Sequence, residues 1–146
     1  MVTLIGMGSG KWEALSAQAQ QAVRSAGLVF GAKRLLAGLP ADCTARQFAR
    51  YQPADVLYSG DTGFYSGASG LLTPLRALGI PARVYPGVSS IQLLSAALGR
   101  PWQDWKLVSA HGCACDPVAE CMMNRSVFFL TGGTETPASL CQKLTD

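Results

Sequence analysis

Long apolar runs are missing from this sequence. Nothing in it approaches the roughly 20 consecutive apolar residues that a bilayer-spanning helix needs; the best run, Val127 to Leu130, stops at Thr131 and two glycines. No membrane association is expected. The opening residues Met1-Val2-Thr3-Leu4-Ile5-Gly6 carry neither a basic leader nor a small-residue cleavage pattern, so they read as a first strand and point to the cytoplasm. Charge is sparse as well, at 14% of 146 residues, with a formal balance of +3. Lysine and arginine are spread from Lys11 to Lys143 without the dense clusters that follow a nucleic-acid backbone, so nucleic acid is not an expected partner. A mildly basic surface suits an anionic small molecule or plain solvation equally well.

Cysteine is present in an odd count of five, without the spacing of a small secreted disulfide scaffold, so reduced thiols are expected. Histidine is almost lacking. The single one, His111, stands near Cys113 and Cys115, and alternate residues of an extended segment point the same way. Paired zinc-binding cysteines normally have two residues between them, and a fourth ligand would have to come from Cys121. No metal site is expected. A thiol metal protein built on Cys113, Cys115 and Cys121 is the alternative that metal analysis would reveal.

What the chain does have is apolar residues, 49% of the total, arranged as strands alternating with helical patterns. That alternation is the signature of an α/β fold with a largely parallel sheet. Strands are predicted at Val2–Ile5, Leu28–Phe30, Val56–Tyr58, Arg83–Tyr85, Trp105–Val108 and Val127–Leu130. Helical spacing of Leu15, Ala19, Ala22, Val23 and Ala26 precedes Gly27, a candidate terminator. A short helical piece is expected around Lys33 to Leu36. Leu71, Leu72, Leu75 and Leu78 predict a helix ending at Gly79, and Ile91, Leu94 and Leu98 one ending at Gly99. Ser89 and Gln92 have capping-box spacing, Thr136-Pro137 starts a last helix up to Leu144, and residues 40–53 are too polar and irregular to assign.

Four glycine- or serine-rich loops, Gly6 to Gly10, Gly60 to Ser66, Pro86 to Ser90 and Ser109 to Gly112, each follow a predicted strand. In parallel sheets such loops gather at the carboxyl edge, where backbone amides and helix N-termini can meet a ligand. The first is not a dinucleotide fingerprint, because Lys11 occupies the place of the third glycine, and Lys11 lacks the spacing of a P-loop lysine. Asp61 is either a turn-former or a ligand anchor; the neighbouring Phe64 and Tyr65, an apolar wall with a polar handle, favour the anchor. Any proton transfer near neutral pH falls to His111, for which a structural role is the alternative.

Read in order, Gly60-Asp61-Thr62-Gly63-Phe64-Tyr65-Ser66, Tyr85-Pro86-Gly87-Val88-Ser89-Ser90, Pro101-Trp102 and Ser109-Ala110-His111-Gly112 resemble the cobalt-precorrin-7 carbon-5 methyltransferases, within the tetrapyrrole (corrin/porphyrin) methylases. The opening turn and Gly31-Ala32-Lys33-Arg34-Leu35-Leu36 extend the resemblance over nearly the whole chain. It implies two α/β domains, with residues 1–112 as the first and 113–146 as a linker and the beginning of the second. It implies S-adenosylmethionine as methyl donor, held near Gly60, Asp61, Phe64, Ser89, Ser90, His111, Gly112 and Thr131, and an anionic cobalt-precorrin near Gly8 and Ser9. Lys11, Arg34, Arg46 and Arg50 are candidates to pair with substrate carboxylates, His111 is the candidate proton acceptor, and a homodimer is expected. The same resemblance leaves open another acceptor, such as a different precorrin or a diphthamide intermediate, or a cofactor-binding module without turnover.

Overall fold

The computed structural model describes residues 1–43, 46–48 and 55–145, which divide by contact into two compact units, Met1–Ser90 and Ile91–Asp146. The division after residue 112 expected from the motifs falls inside the second of these.

In the first unit, strands β1 (Val2–Gly6), β2 (Leu28–Gly31), β3 (Arg46–Phe48), β4 (Asp55–Tyr58) and β5 (Ala82–Tyr85) form one sheet in the order β3-β2-β4-β1-β5. Every pairing is parallel, with Leu4 opposite Val56 on one side of β1 and Val84 on the other. The apolar character of β1 follows from its place, since both faces of the sheet are covered. Ile5, Val29 and Leu57 face a core built with Ala19 and Val23 of α1 (Ala17–Ser25) and Leu35 and Leu36 of α2 (Lys33–Leu36). Val2, Leu4, Val56 and Tyr58 face the opposite core with Ala68 and Leu75 of α3 (Ala68–Ala77). The period-two alternation within each strand therefore feeds two separate layers.

Several helix ends obey local chemistry, and one glycine expected to serve does not. Ser16 caps α1, its hydroxyl accepting from Ala19 N. Gly79, at φ +65°, closes α3 in a Schellman turn: its N–H donates to the Arg76 carbonyl, and Ile80 N to that of Leu75. Gly99 ends α4 (Ser90–Leu98) in the same way, through Arg100 N to Ser95 O. Gly27 does not serve α1 so. The helix stops at Ser25, Ala26 is already extended, and Gly27 has no positive φ.

The second unit holds β6 (Lys106–Ser109) and β7 (Val127–Leu130), a parallel pair, with α5 (Pro117–Met123) and α6 (Pro137–Thr145). Thr136 and Ser139 form a reciprocal cap on α6: Ser139 N donates to Thr136 Oγ1 at 3.1 Å, and Thr136 N to Ser139 Oγ at 2.9 Å. Of the face predicted for α4, Ile91 is buried while Leu94 and Leu98 are 42% and 54% exposed. Periodicity identifies the helix; it does not say how much of the face finds cover.

Candidate functional site

The topology fixes where a ligand would enter the first unit. β1 and β4 are neighbours, yet the chain leaving β1 goes to α1 on one face and the chain leaving β4 goes to α3 on the other. Between two such strands a crevice opens at the carboxyl edge, the usual ligand position in open α/β sheets. The loops Gly6 to Gly10 and Gly60 to Ser66 follow these two strands at that edge. They are joined by a short antiparallel bridge, Gly8 N to Gly60 O at 3.0 Å and Gly60 N to Gly8 O at 2.9 Å.

A third loop, from β5, packs onto the same spot. A Cβ added to Gly6 would lie 2.6 Å from Gly87 N and 2.7 Å from the Gly60 carbonyl, and one on Gly87 would overlap the Gly60 and Gly6 carbonyls. Bare main chain from three loops meets here. Asp61, partly buried, ties the β4 loop to the β5 loop: Oδ2 accepts from Gly63 N at 2.9 Å and Oδ1 from Gly87 N at 3.0 Å. Thr62, buried, adds a 3.4 Å hydrogen bond from its hydroxyl to the Tyr85 carbonyl. Sequence reasoning placed Gly6 and Gly87 in loops at the carboxyl edge but singled out neither for close approach.

Beside this floor the backbone is open. Gly60 sits at φ +68° with no atom within 4 Å of where a Cβ would be. Phe64 and Tyr65 meet edge to face at 5.0 Å between ring centroids, and Tyr65 holds φ +47°, a conformation that L-residues rarely adopt. Such strain persists only where surrounding contacts impose it, and it collects at binding sites. On the other side of the β1 loop, the space beside Gly10 is limited by Leu35 Cδ2 at 3.2 Å and Arg34 Nη1 at 3.6 Å from a would-be Cβ. Arg34 thus reaches the loop that carries Gly8, Ser9 and Lys11; Ser9 and Lys11 are exposed. Ser89 is buried and Ser90 exposed, at the start of α4. Arg50 lies outside the described residues, and only the backbone of Arg46 falls within them.

The second unit assembles another part of the predicted set. His111 and Gly112 follow β6, Thr131 follows β7, and the parallel pairing of these strands brings them together: His111 Nδ1 is 3.4 Å from the Thr131 carbonyl. Gly112, at φ +70°, has open space where a Cβ would stand. Among the described residues no group of three or more His, Cys, Asp or Glu could hold a metal ion, and all five cysteines are free. No helix among them is long and apolar enough to cross a membrane.

Compared with known families, residues 1–146 match the tetrapyrrole (corrin/porphyrin) methylases along their whole length. The chain belongs to the tetrapyrrole methylase family. Its members are methyltransferases, and the α/β architecture above is theirs. This tetrapyrrole methylase is 31% identical to the cobalt-precorrin-7 C(5)-methyltransferase of Salmonella typhimurium, in an alignment covering 99% of the chain and 77% of the relative. Among solved structures, cobalt precorrin-4 methyltransferase superposes with a TM-score of 0.73 at 16% identity, over 98% of this chain and 71% of the other. Uroporphyrin-III C-methyltransferase from Thermus thermophilus, complexed with S-adenosylhomocysteine, gives 0.61 at 24% identity, over 80% and 63%.

Proposed function

We propose that the protein transfers a methyl group from S-adenosylmethionine to carbon 5 of cobalt-precorrin-7, a late corrin intermediate of cobalamin synthesis. The observation that carries this reading is the glycine-built junction of the loops after β1, β4 and β5, in a chain 31% identical to an enzyme of that name. The residues present suit the cofactor. Gly60 leaves its main chain uncovered on the side where a Cβ would otherwise stand, and Gly112 does the same in the second unit. Bound there, S-adenosylmethionine would supply an electrophilic methyl on its sulfonium, so no nucleophilic side chain is called for.

In this reading Gly60, Asp61, Phe64, Ser89, Ser90, His111, Gly112 and Thr131 hold the cofactor. Asp61 spends one acceptor position of each oxygen on the loops, and a carboxylate has about four, which leaves capacity for a ligand hydroxyl or amine. Gly8, Ser9, Lys11 and Arg34 meet the acceptor, the two cations pairing with its carboxylates. His111 takes the proton released as the new carbon–carbon bond forms. The rest of the rate comes from alignment of donor and acceptor and from exclusion of water. The working form in this reading is a cytoplasmic homodimer.

Calorimetric titration of the folded chain with S-adenosylhomocysteine is the test. Saturable binding at one site per chain is expected; a folded sample that takes up no ligand would overturn the cofactor assignment. Turnover of a cobalt-precorrin that survives unchanged in His111→Ala would remove the proton-acceptor role and leave the rest.

A further inference from the structure

His111 is exposed, yet one side of its ring lies against the chain that follows β7. Its Nδ1 stands 3.4 Å from the Thr131 carbonyl, a group that can only accept, so the proton of this long hydrogen bond belongs to Nδ1. The ring also lies directly against Gly132. A Cβ at that position would overlap Nδ1 and Cε1 and would lie 2.9 Å from Cγ. No other residue could occupy position 132 without expelling the imidazole.

The turn that presents this surface is itself braced. Gly132 N donates to the Glu135 carbonyl at 2.9 Å in an isolated bridge, and Gly133 turns the chain at φ +68°. Glu135 is fixed in turn by Lys143 Nζ at 2.6 Å and Ser139 Oγ at 2.5 Å, both on α6. The Thr131–Glu135 turn is thus anchored to a helix, and the helix to the turn.

We propose that Gly132 is a positioning residue for His111: the turn holds the imidazole as its Nδ1–H tautomer and leaves Nε2 as the proton-accepting nitrogen. Which ring nitrogen carries the proton is set by the hydrogen bond the other atom makes, so a carbonyl at Nδ1 defines the basic position at Nε2. The inference rests on the reading of His111 as proton acceptor for its purpose, but the tautomer is a property of the chain alone.

Because His111 is the only histidine, its ring can be observed without ambiguity in protein labelled with nitrogen-15 histidine. Long-range proton–nitrogen correlation spectra of the neutral imidazole, recorded in alkaline solution, should show Nδ1 as the protonated nitrogen in the folded chain. The same chain unfolded in urea should show the Nε2–H majority that histidine adopts in water. Gly132→Ala should shift the population toward the unfolded pattern, and Gly133→Ala, altering the turn without entering the ring's space, should shift it less. A folded wild-type chain with the Nε2–H majority overturns the proposal whether or not either variant folds. Failure of the catalytic reading would look different: Nδ1–H observed, with His111→Ala still turning over.

Discussion

Gly6, Gly60 and Gly87 sit at one spot for two different reasons. Gly60 has a positive φ and open space, so the backbone conformation selects glycine; Gly6 has no positive φ, nor has Gly87, and each is selected by the main chain pressed against it. Gly87→Ala must therefore push the β5 loop off the Gly6 and Gly60 carbonyls. Overpacking of this kind destabilises by about 1–3 kcal/mol, and thermal denaturation should show a melting temperature lower by several degrees. Gly27→Ala is the comparison: nothing lies within 4 Å and φ is ordinary, so its effect should stay within about 0.5 kcal/mol. Equal melting temperatures for the two variants would contradict the close packing of the loops. Sequence reasoning found the loops but not this contact, because the three glycines are distant in the chain and no local pattern records which backbones will touch. For Asp61 both readings weighed from sequence stay in play; the structure supplies the turn-forming bonds, to Gly63 and Gly87.

Elements were legible where local chemistry alone decides them. Thr136-Pro137 announces α6, and the structure has Thr136 capping it. Asp116-Pro117 carried the same signal for α5, which the sequence reading passed over; Asp116 Oδ1 accepts from Val118 N and Ala119 N, both at 3.1 Å. β3 had no such signal. It is three residues at the edge of the sheet, paired to β2 alone, so it forms by long-range pairing and not by its own pattern.

The brace between α6 and the preceding turn has a pH signature. Hydrogen bonds from Lys143, then from Ser139, hold the Glu135 carboxyl below its ordinary 4.5, and the Glu135 hydrogen bond raises Lys143 above 10.5. A carboxyl whose folded value is depressed contributes stability above its unfolded value and loses it as pH falls through the folded one. The raised Lys143 does the converse, contributing below 10.5 and losing that contribution as pH rises through its folded value. Comparing Glu135→Gln with the parent chain by thermal melts should therefore show a small deficit near neutral pH that closes in acid. A deficit unchanged across the acid range would mean the carboxylate's charge is not what matters. Lys143 is 48% exposed, which screens the pair, so the effect belongs with modest surface pairs.

At the scale of the molecule, the two units differ in how much they bury. β1 and β4 lie in the middle of a five-stranded sheet, with Leu4, Ile5, Val56 and Leu57 fully buried. β6 and β7 form a two-stranded pair whose buried residues are few, among them Val108 and Phe128. Local opening takes its free energy from such differences. Hydrogen exchange should therefore find the amides of β1 and β4 the slowest, and those of β6 and β7 faster by at least an order of magnitude; uniform protection across both sheets would contradict it. The overall α/β class was legible from the alternation of strand and helix patterns. The extent of cover on each helix was not: Leu94 and Leu98 have the spacing of a buried face and remain exposed, because periodicity reports a helix's preference and not its neighbours.

The crevice floor has a place in time as well as in space. Its parts come from loops after β1, β4 and β5, which meet only when β1 has been inserted between two strands formed much later in the chain. Contacts of such high sequence separation are the slow ones in folding, since the intervening chain must be ordered before they repay it. A nascent fragment lacking Gly87 holds both partners of the Gly8–Gly60 bridge but cannot complete this floor, so the loop after β5 is the last of its parts to arrive.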